Sequence, residues 1–182
     1  MNKLKMTTRD LCMTAIFTAL TAVFAQIAIP LPFSPVPISL GIVALYAAAI
    51  LLPPKCAILS QVCYLLLGAV GVPVFGGFKG GLPSLLGPTG GYLLVYPLVA
   101  AIVTFSLRKR TGFVRGAISL CAAHLVLYLG GTAWLSLTTG NLFSACLALA
   151  VYPFVLPDIA KIAFCVIAVI PFQKRFLKMT AL

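Results

Sequence analysis

Long uninterrupted apolar runs constrain this chain more than any other feature. The run from Leu11 to Ile29 contains no charged side chain. The run from Leu142 to Phe172 contains only two charged side chains, Asp158 and Lys161. A helix needs about 20 apolar residues to cross a bilayer. The chain is 62% hydrophobic and 8% charged, which leaves too little polar surface to cover a soluble domain. The runs lack the strict alternation of membrane β-strands. They therefore predict an all-α membrane protein.

Prolines and glycines divide these runs into six predicted transmembrane helices within a single integral membrane domain, residues 1–182. The predicted helices cover approximately residues 11–29, 38–52, 56–72, 91–107, 116–137 and 157–172. A glycine-rich loop, 74–90, follows the third helix. A short segment, 142–155, precedes the sixth, because Pro153 and Pro157 interrupt the last run.

The formal charge of +11 comes from basic residues that flank the predicted helices. One set shares a single side of the predicted membrane: Lys3, Lys5, Arg9, Lys55, Arg108, Lys109, Arg110, Arg115, Lys174, Arg175 and Lys178. The opposite side carries only Lys79. Basic residues accumulate on the cytoplasmic side of membrane proteins, so both termini are predicted to be cytoplasmic and the loop 74–90 and segment 142–155 to face outward. The positive charge thus fits a lipid bilayer and no nucleic-acid partner.

The chain has two acidic residues, and only one lies within an apolar run. Asp10 stands at the start of the first helix, where a carboxylate caps backbone N–H groups. Asp158 and Lys161 are three residues apart and therefore share one helical face. Ionisable residues inside a membrane are costly and usually functional. The pair predicts a site for a polar ligand, with a structural ion pair and an intramembrane enzyme that uses Asp158 as a base as the alternatives.

The stretch "VFGGFKGGLPSLLGPTGGY" gives the loop 74–90 its glycines. Glycine lets the backbone approach a ligand closely and adopt positive φ. The pattern of a phosphate-binding loop is absent. A flexible connector is the alternative interpretation. The candidate ligand contacts in and beside the loop are Lys79, Phe75, Phe78, Gly87, Thr89, Gly90 and Tyr92.

Three further features of the sequence give weaker indications of function. His124 lies one helical turn from Tyr128 with no second metal-ligand candidate nearby, so we expect a buried, hydrogen-bonded histidine and no metal site. Trp134 is expected near the outer end of the fifth helix as an interfacial anchor. In the first helix, small residues form a stripe that continues to Gln26 and fits either packing within the bundle or docking of another subunit. The stripe consists of Ala15, Ala19 and Ala22.

Three segments resemble the BioY family, the biotin-specific S-components of energy-coupling factor (ECF) vitamin transporters. They are "LTAVFAQIAIPLPFSPVPISL", "GVPVFGGFKGG…GPTGGYLL" and "YPFVLPDIAK". The resemblance implies a six-helix ECF S-component-like bundle in the cell membrane of a prokaryote, which captures biotin from outside with high affinity. It also implies a chain that is no enzyme and binds no cofactor. Such a chain docks on a transmembrane coupling subunit, while two ATP-binding subunits use the ATP.

The resemblance also assigns roles to individual residues. It implies that Asp158 and Lys161 hold the ureido ring of biotin and that Lys79 in the glycine-rich loop meets the carboxylate. Trp134 then lies near the aromatic wall of the pocket, and the Ala15–Ala19 stripe matches the docking element of S-components. An S-component for another vitamin and a membrane packing or assembly protein are the alternatives.

Overall fold

The computed structural model describes residues 6–32, 34–108, 112–173 and 176. Apart from one β-hairpin, the regular elements in these ranges are helices. The helices are α1 (Thr8–Gln26), α2 (Gly41–Leu51), α3 (Pro54–Ala69), α4 (Leu82–Leu86), α5 (Gly90–Leu94), α6 (Tyr96–Leu107), α7 (Phe113–Thr139), α8 (Phe143–Ala150) and α9 (Val155–Phe164). A π-helical turn, Cys165–Val169, continues α9.

In the described ranges, four helical stretches are long and apolar enough to cross a membrane. They are Thr8–Gln26, Gly90–Leu107, Phe113–Thr139 and Phe143–Gln173. Two shorter apolar helices, α2 and α3, account for the other predicted spans. The chain is therefore a mostly helical membrane protein, whereas the number of six crossings and the side of the termini stay predictions.

The first helix begins three residues earlier than predicted because a capping box fixes its start. The Asp10 backbone N–H donates to the Thr7 hydroxyl at 3.2 Å, and the Thr7 N–H donates to the Asp10 carboxylate at 3.0 Å. The expectation that Asp10 caps this helix is confirmed. The helix ends at Gln26 rather than Ile29, because the chain turns there into a strand.

The proline-rich segment predicted as a loop forms a β-hairpin. Strand β1 (Ala28–Leu31) pairs antiparallel with β2 (Ser34–Ser39), with Ala28 opposite Ser39 and Ile29 opposite Ile38. Prolines in both strands concealed the hairpin in the sequence, because proline normally argues against a strand. Only an edge strand tolerates proline, and in a two-stranded sheet both strands are edges.

Helix α2 lies at the centre of the bundle. All of its residues except Ala47 are buried, and it packs against α1, α3 and α6. Its alanines allow the neighbouring helices to approach closely. At 1.5 Å per residue, α2 is only about 16 Å long. This short helix is enclosed by its neighbours.

Helix α1 buries three threonines, beside Phe17 and Ala25, while several large apolar residues face outward. Thr14, Thr18 and Thr21 are buried, whereas Ile16 and Val23 are exposed. The Thr18 hydroxyl donates to the backbone carbonyl of Ser60 on α3 at 3.0 Å. This pattern suits a helix with lipid on its outer side, where buried polar groups find partners within the protein.

The connections divide the bundle into two ends. The hairpin, the loop 74–90 and the turn before α8 lie at one end, called here the hairpin end. The α2–α3 and α6–α7 connections lie at the other, with the start of α1. The described basic residues near this second end are Arg9, Lys55, Arg108 and Arg115. The rest of the predicted cytoplasmic set lies outside the described residues: Lys3, Lys5, Lys109, Arg110, Lys174, Arg175 and Lys178.

The final apolar run, Leu142 to Phe172, is divided near its prolines, as predicted. The segment that precedes the last helix is itself helical. Helix α8 and a 3-10 turn, Tyr152–Phe154, occupy most of the predicted segment 142–155. Helix α9 begins at Val155, which puts Pro157 in its first turn, where a missing N–H costs nothing.

Candidate ligand-binding site

Two adjoining cavities lie at the hairpin end of the bundle. The larger, about 330 Å³, lies beneath the glycine-rich loop, and the smaller, about 70 Å³, reaches Asp158 and Lys161 on α9. The two share part of their walls: Val36, Pro37, Ser39, Tyr92 and Tyr96. Together they extend from Lys79 to the Asp158–Lys161 pair, with strand β2 along one side.

A tight turn places Lys79 on the larger cavity. The Phe75 N–H donates to the Lys79 carbonyl at 2.9 Å, and the Lys79 N–H donates back to the Phe75 carbonyl at 3.2 Å. Gly77 and Phe78 within the turn both have positive φ, at 73° and 56°. The Phe78 N–H donates to the Gln26 side-chain oxygen at 2.8 Å, which ties the turn to the end of α1. Within the described part of the chain, the Lys79 ammonium has no hydrogen-bond or ion-pair partner.

Aromatic rings form the wall below this turn. Phe75 is 2% exposed and meets Tyr64 edge-on at 5.4 Å between ring centroids, and Tyr64 stacks on Tyr96 at 6.1 Å. A Cβ on Gly68 would overlap the Phe75 ring. Gly68 therefore permits the tip of the Phe75 ring to pack against α3, where Phe75 forms part of the cavity wall.

The segment that leads into α5 forms the opposite wall. Gly87, Thr89 and Tyr92 line the larger cavity. The Trp134 indole N–H donates to the Gly87 carbonyl at 3.0 Å, which holds this wall from behind. Gly90 packs on the backbone of Leu85 and, like Trp134, is absent from the lining of both cavities. These two residues support the wall.

Asp158 accepts three hydrogen bonds at the inner end of the smaller cavity. Its Oδ1 accepts from Lys161 Nζ at 2.8 Å. Its Oδ2 accepts from the Tyr128 hydroxyl at 2.6 Å and pairs with His124 Nε2 at 3.0 Å. The other ring nitrogen of His124 lies 2.6 Å from the hydroxyl of Tyr46 on α2. The predictions that Asp158 and Lys161 share a face and that His124 is buried and hydrogen-bonded are confirmed.

This arrangement still has hydrogen-bonding capacity on the cavity side. A carboxylate offers about four acceptor positions, of which three are used, so Oδ1 retains one. An ammonium has three N–H donors, and Lys161 uses one of them within the pair. Asp158 is 6% exposed and both residues line the smaller cavity. The pair can therefore accept an N–H and donate to a carbonyl of the same ligand.

One predicted contact lies elsewhere. Phe78 is 73% exposed and does not line either cavity, so the geometry does not support its expected position over a ligand. Sequence reasoning did not assign Tyr128 and Tyr96 to the site, although both line the smaller cavity. The four-residue spacing of His124 and Tyr128, which puts both on one face of α7, was the available signal for Tyr128.

The chain resembles known biotin transporters along nearly its whole length. A probable biotin transporter BioY from Pyrococcus horikoshii is 42% identical over 162 residues, which cover 89% of this chain and 94% of the relative. A biotin transporter BioY from Thermotoga maritima is 35% identical, and the match covers 91% of this chain and 96% of that one.

The fold matches solved structures of the same type. A crystal structure of the S-component for biotin from an ECF-type ABC transporter superposes with a TM-score of 0.84 at 28% identity, over 93% of this chain and 95% of the other. FolT bound with folic acid shares the fold at 18% identity, with a TM-score of 0.61, over 94% and 96%. The BioY family model matches residues 1–178. The family is one of transporter components and not of enzymes. The family model, the sequence matches and the fold agree that this chain belongs to the BioY family.

Proposed function

We propose that this protein binds biotin and acts as the substrate-binding S-component of an ECF-type transporter. The observation that carries the proposal is the buried Asp158–Lys161 pair, which retains an acceptor and donors on a cavity whose opposite end carries Lys79. Family membership supports the same function, because the relatives are biotin transporters.

Each chemical part of biotin has a counterpart in the cavities. Asp158 Oδ1 accepts a ureido N–H, and Lys161 donates to the ureido carbonyl. The apolar thiolane ring and side chain lie along Tyr92, Tyr96 and Phe75. The carboxylate meets Lys79. A site that pairs the buried polar groups of its ligand rejects analogues without them, because the site's own groups are then left unpaired.

Tyr128 is the candidate acceptor for the second ureido N–H. Its hydroxyl donates to Asp158, which leaves the lone pairs of the phenol oxygen free to accept. The side chain lines the smaller cavity beside Lys161. A urea presents two N–H groups and one carbonyl, so Asp158, Tyr128 and Lys161 together match all three.

The direct test is biotin binding to the purified protein. We expect saturable binding and a rise in the midpoint of thermal unfolding with biotin concentration, because a ligand stabilises the state that it binds. Thiamine and riboflavin serve as controls. Saturable binding of one of these vitamins with no binding of biotin would favour the alternative, an S-component for another vitamin.

The alanine stripe of α1 is the proposed docking surface for the coupling subunit. Ala15 and Ala19 are exposed and Ala22 is half-buried, whereas the threonine face of α1 is directed into the bundle. The chain's own helices thus leave Ala15 and Ala19 uncovered, and small residues permit a second helix to approach closely. In this proposal the chain itself uses no cofactor, and two ATP-binding subunits join through the coupling subunit.

A leucine in the stripe tests the docking surface. Ala19→Leu should leave biotin binding unchanged and reduce co-purification with the coupling subunit and ATP-driven uptake. Ala122→Leu is the matched control, because Ala122 is also an exposed alanine on a long helix, α7. Equal uptake by the two variants would contradict docking through the stripe.

The proposed topology has six crossings of a prokaryotic cell membrane, cytoplasmic termini and an outward-facing hairpin end. It rests on the basic residues at the opposite end, Arg9, Lys55, Arg108 and Arg115. A cysteine introduced at Lys79 in a cysteine-free variant should react with an impermeant reagent in intact cells, and one introduced at Arg115 should not. The reverse pattern would overturn the orientation.

A further inference from the structure

His124 joins the three helices that meet behind the smaller cavity. From α7, its Nε2 lies 3.0 Å from Asp158 Oδ2 on α9, and its Nδ1 lies 2.6 Å from the Tyr46 hydroxyl on α2. It is 5% exposed, Tyr46 is fully buried, and neither residue lines a cavity. These two side chains therefore act on a ligand through the cavity residues that His124 contacts, Asp158 and Tyr128.

The hydrogen-bond partners define the tautomer of His124. The Asp158 carboxylate can only accept, so Nε2 carries the hydrogen. The Tyr46 hydroxyl then donates to Nδ1, which has a free lone pair in a neutral imidazole. A doubly protonated ring would add a second buried cation close to Lys161, with Asp158 as the only anion in the cluster. The neutral form with hydrogen on Nε2 avoids that charge.

We propose that Tyr46 and His124 position Asp158 for ligand binding. Tyr46 donates to Nδ1 and so holds the orientation of the His124 ring, and His124 with Tyr128 holds Oδ2 on the inner side of the carboxylate. This leaves Oδ1, with Lys161, directed to the cavity. Without the histidine donor, only Tyr128 holds Oδ2, so the carboxylate can rotate toward the ammonium of Lys161 until both oxygens are used within the pair. The inference rests on the proposed function, because Asp158 is taken as a ligand contact.

Two variants of His124 compare a side chain that keeps an N–H donor with one that has none. His124→Gln retains an amide N–H near the position of Nε2, whereas His124→Leu has similar bulk and no donor. We expect His124→Leu to weaken biotin binding by about ten- to a hundredfold, the usual effect of losing a hydrogen bond to a charged group. His124→Gln should restore binding to within a few-fold of the wild type.

Tyr46→Phe tests the orientation of the ring without removing the histidine. We expect a smaller loss, a few-fold, because the ring remains and only its orientation is released. Thermal unfolding of each variant without ligand separates loss of folding from loss of positioning. Equal affinities of His124→Leu and His124→Gln, in folded proteins, would overturn the inference.

Nuclear magnetic resonance of the histidine nitrogens gives a measurement independent of biotin. The chain contains one histidine, so the signal needs no assignment. We expect a neutral ring with hydrogen on Nε2 in the wild type and in Tyr46→Phe, and a shifted Nδ1 signal in Tyr46→Phe because Nδ1 loses its hydrogen-bond donor. A doubly protonated ring at neutral pH, or hydrogen on Nδ1, would overturn the inference whether or not biotin binds. Failure of wild-type biotin binding with the expected histidine spectrum would instead refute the proposed function alone.

Discussion

The two ends of the ligand-binding region are built in different ways. At one end, side chains of two helices, α7 and α9, fix Asp158 through hydrogen bonds from Lys161, Tyr128 and His124. At the other end, backbone bonds of a glycine turn present Lys79, whose ammonium has no polar partner among the described residues. One end is organised before any ligand arrives, and the other offers a cation on an exposed turn.

The difference indicates where affinity and selectivity come from. A buried group already held in its bound geometry loses little freedom on binding, so its hydrogen bonds contribute fully to affinity. A lysine on an exposed turn keeps its hydration and its rotamers, so its attraction to an anion is small. Substitutions at the Asp158 end should therefore have larger effects than substitutions at the Lys79 end.

Asp158→Asn should have the largest effect. The amide keeps the shape of the carboxylate but loses the charge, and hydrogen bonds to charged groups contribute up to about 3 kcal/mol, so biotin affinity should fall about a hundredfold. The free energy of unfolding should also fall by about 3–5 kcal/mol, because Lys161 is left buried without its anion. Calorimetry of biotin binding and chemical denaturation measure the two effects.

Asp10→Asn is the matched control because Asp10 is the other acidic residue of the chain. It caps α1 at the far end of the bundle, and the asparagine oxygen can still accept from the Thr7 N–H, so stability should fall by less than about 1 kcal/mol and biotin affinity should be unchanged. If folded Asp158→Asn binds biotin as well as the wild type, the pair only sets helix packing. That result would favour a membrane packing or assembly protein.

Gly68→Ala should have an intermediate effect at the aromatic wall. The added methyl group would overlap the Phe75 ring, and such overpacking typically costs about 1–3 kcal/mol. Phe75 has to move into the larger cavity, so we expect biotin affinity to fall about tenfold. Gly112→Ala is the control, because a Cβ there meets no neighbouring atom. Equal biotin affinity of the two variants would show that the position of Phe75 is immaterial to binding.

Lys79→Met should have the smallest effect. An exposed charge contributes about 1 kcal/mol or less, so we expect a few-fold loss of biotin affinity that disappears at high salt. Biotin methyl ester, which lacks the carboxylate charge, should bind the variant and the wild type equally. Lys55→Met, at the opposite end of the bundle, is the control. A loss for Lys79→Met as large as that for Asp158→Asn would contradict the difference between the two ends.

Local contacts of the site were predictable from the sequence, and contacts between distant segments were not. The Lys161–Asp158 bond joins residues three apart on one helix, so the helical repeat predicts it. The His124–Asp158 and Tyr46–His124 contacts join residues 34 and 78 positions apart. These contacts depend on how three helices pack against one another. In a membrane protein nearly every helix face is apolar, so the apolar pattern of the sequence does not determine that packing.

The glycines illustrate the same limit. Those of the stretch Val74 to Tyr92 were expected to let the backbone approach a ligand. In the structure Gly91 of this stretch faces Trp134, and two glycines outside it also accommodate aromatic rings: Gly68 faces Phe75 and Gly131 faces Tyr92. The sequence identifies positions where a side chain is not tolerated. It does not identify the neighbour responsible, because that neighbour lies on another helix.

The prolines of the hairpin have a consequence for assembly. Both strands of a two-stranded sheet have an outer edge whose free N–H groups can recruit another strand. Pro30, Pro35 and Pro37 have no N–H to offer, so three donors are missing from these edges. A third strand, from a second copy or from a misfolded neighbour in a crowded membrane, therefore gains little by adding to the sheet. The wall of the cavity stays two strands wide.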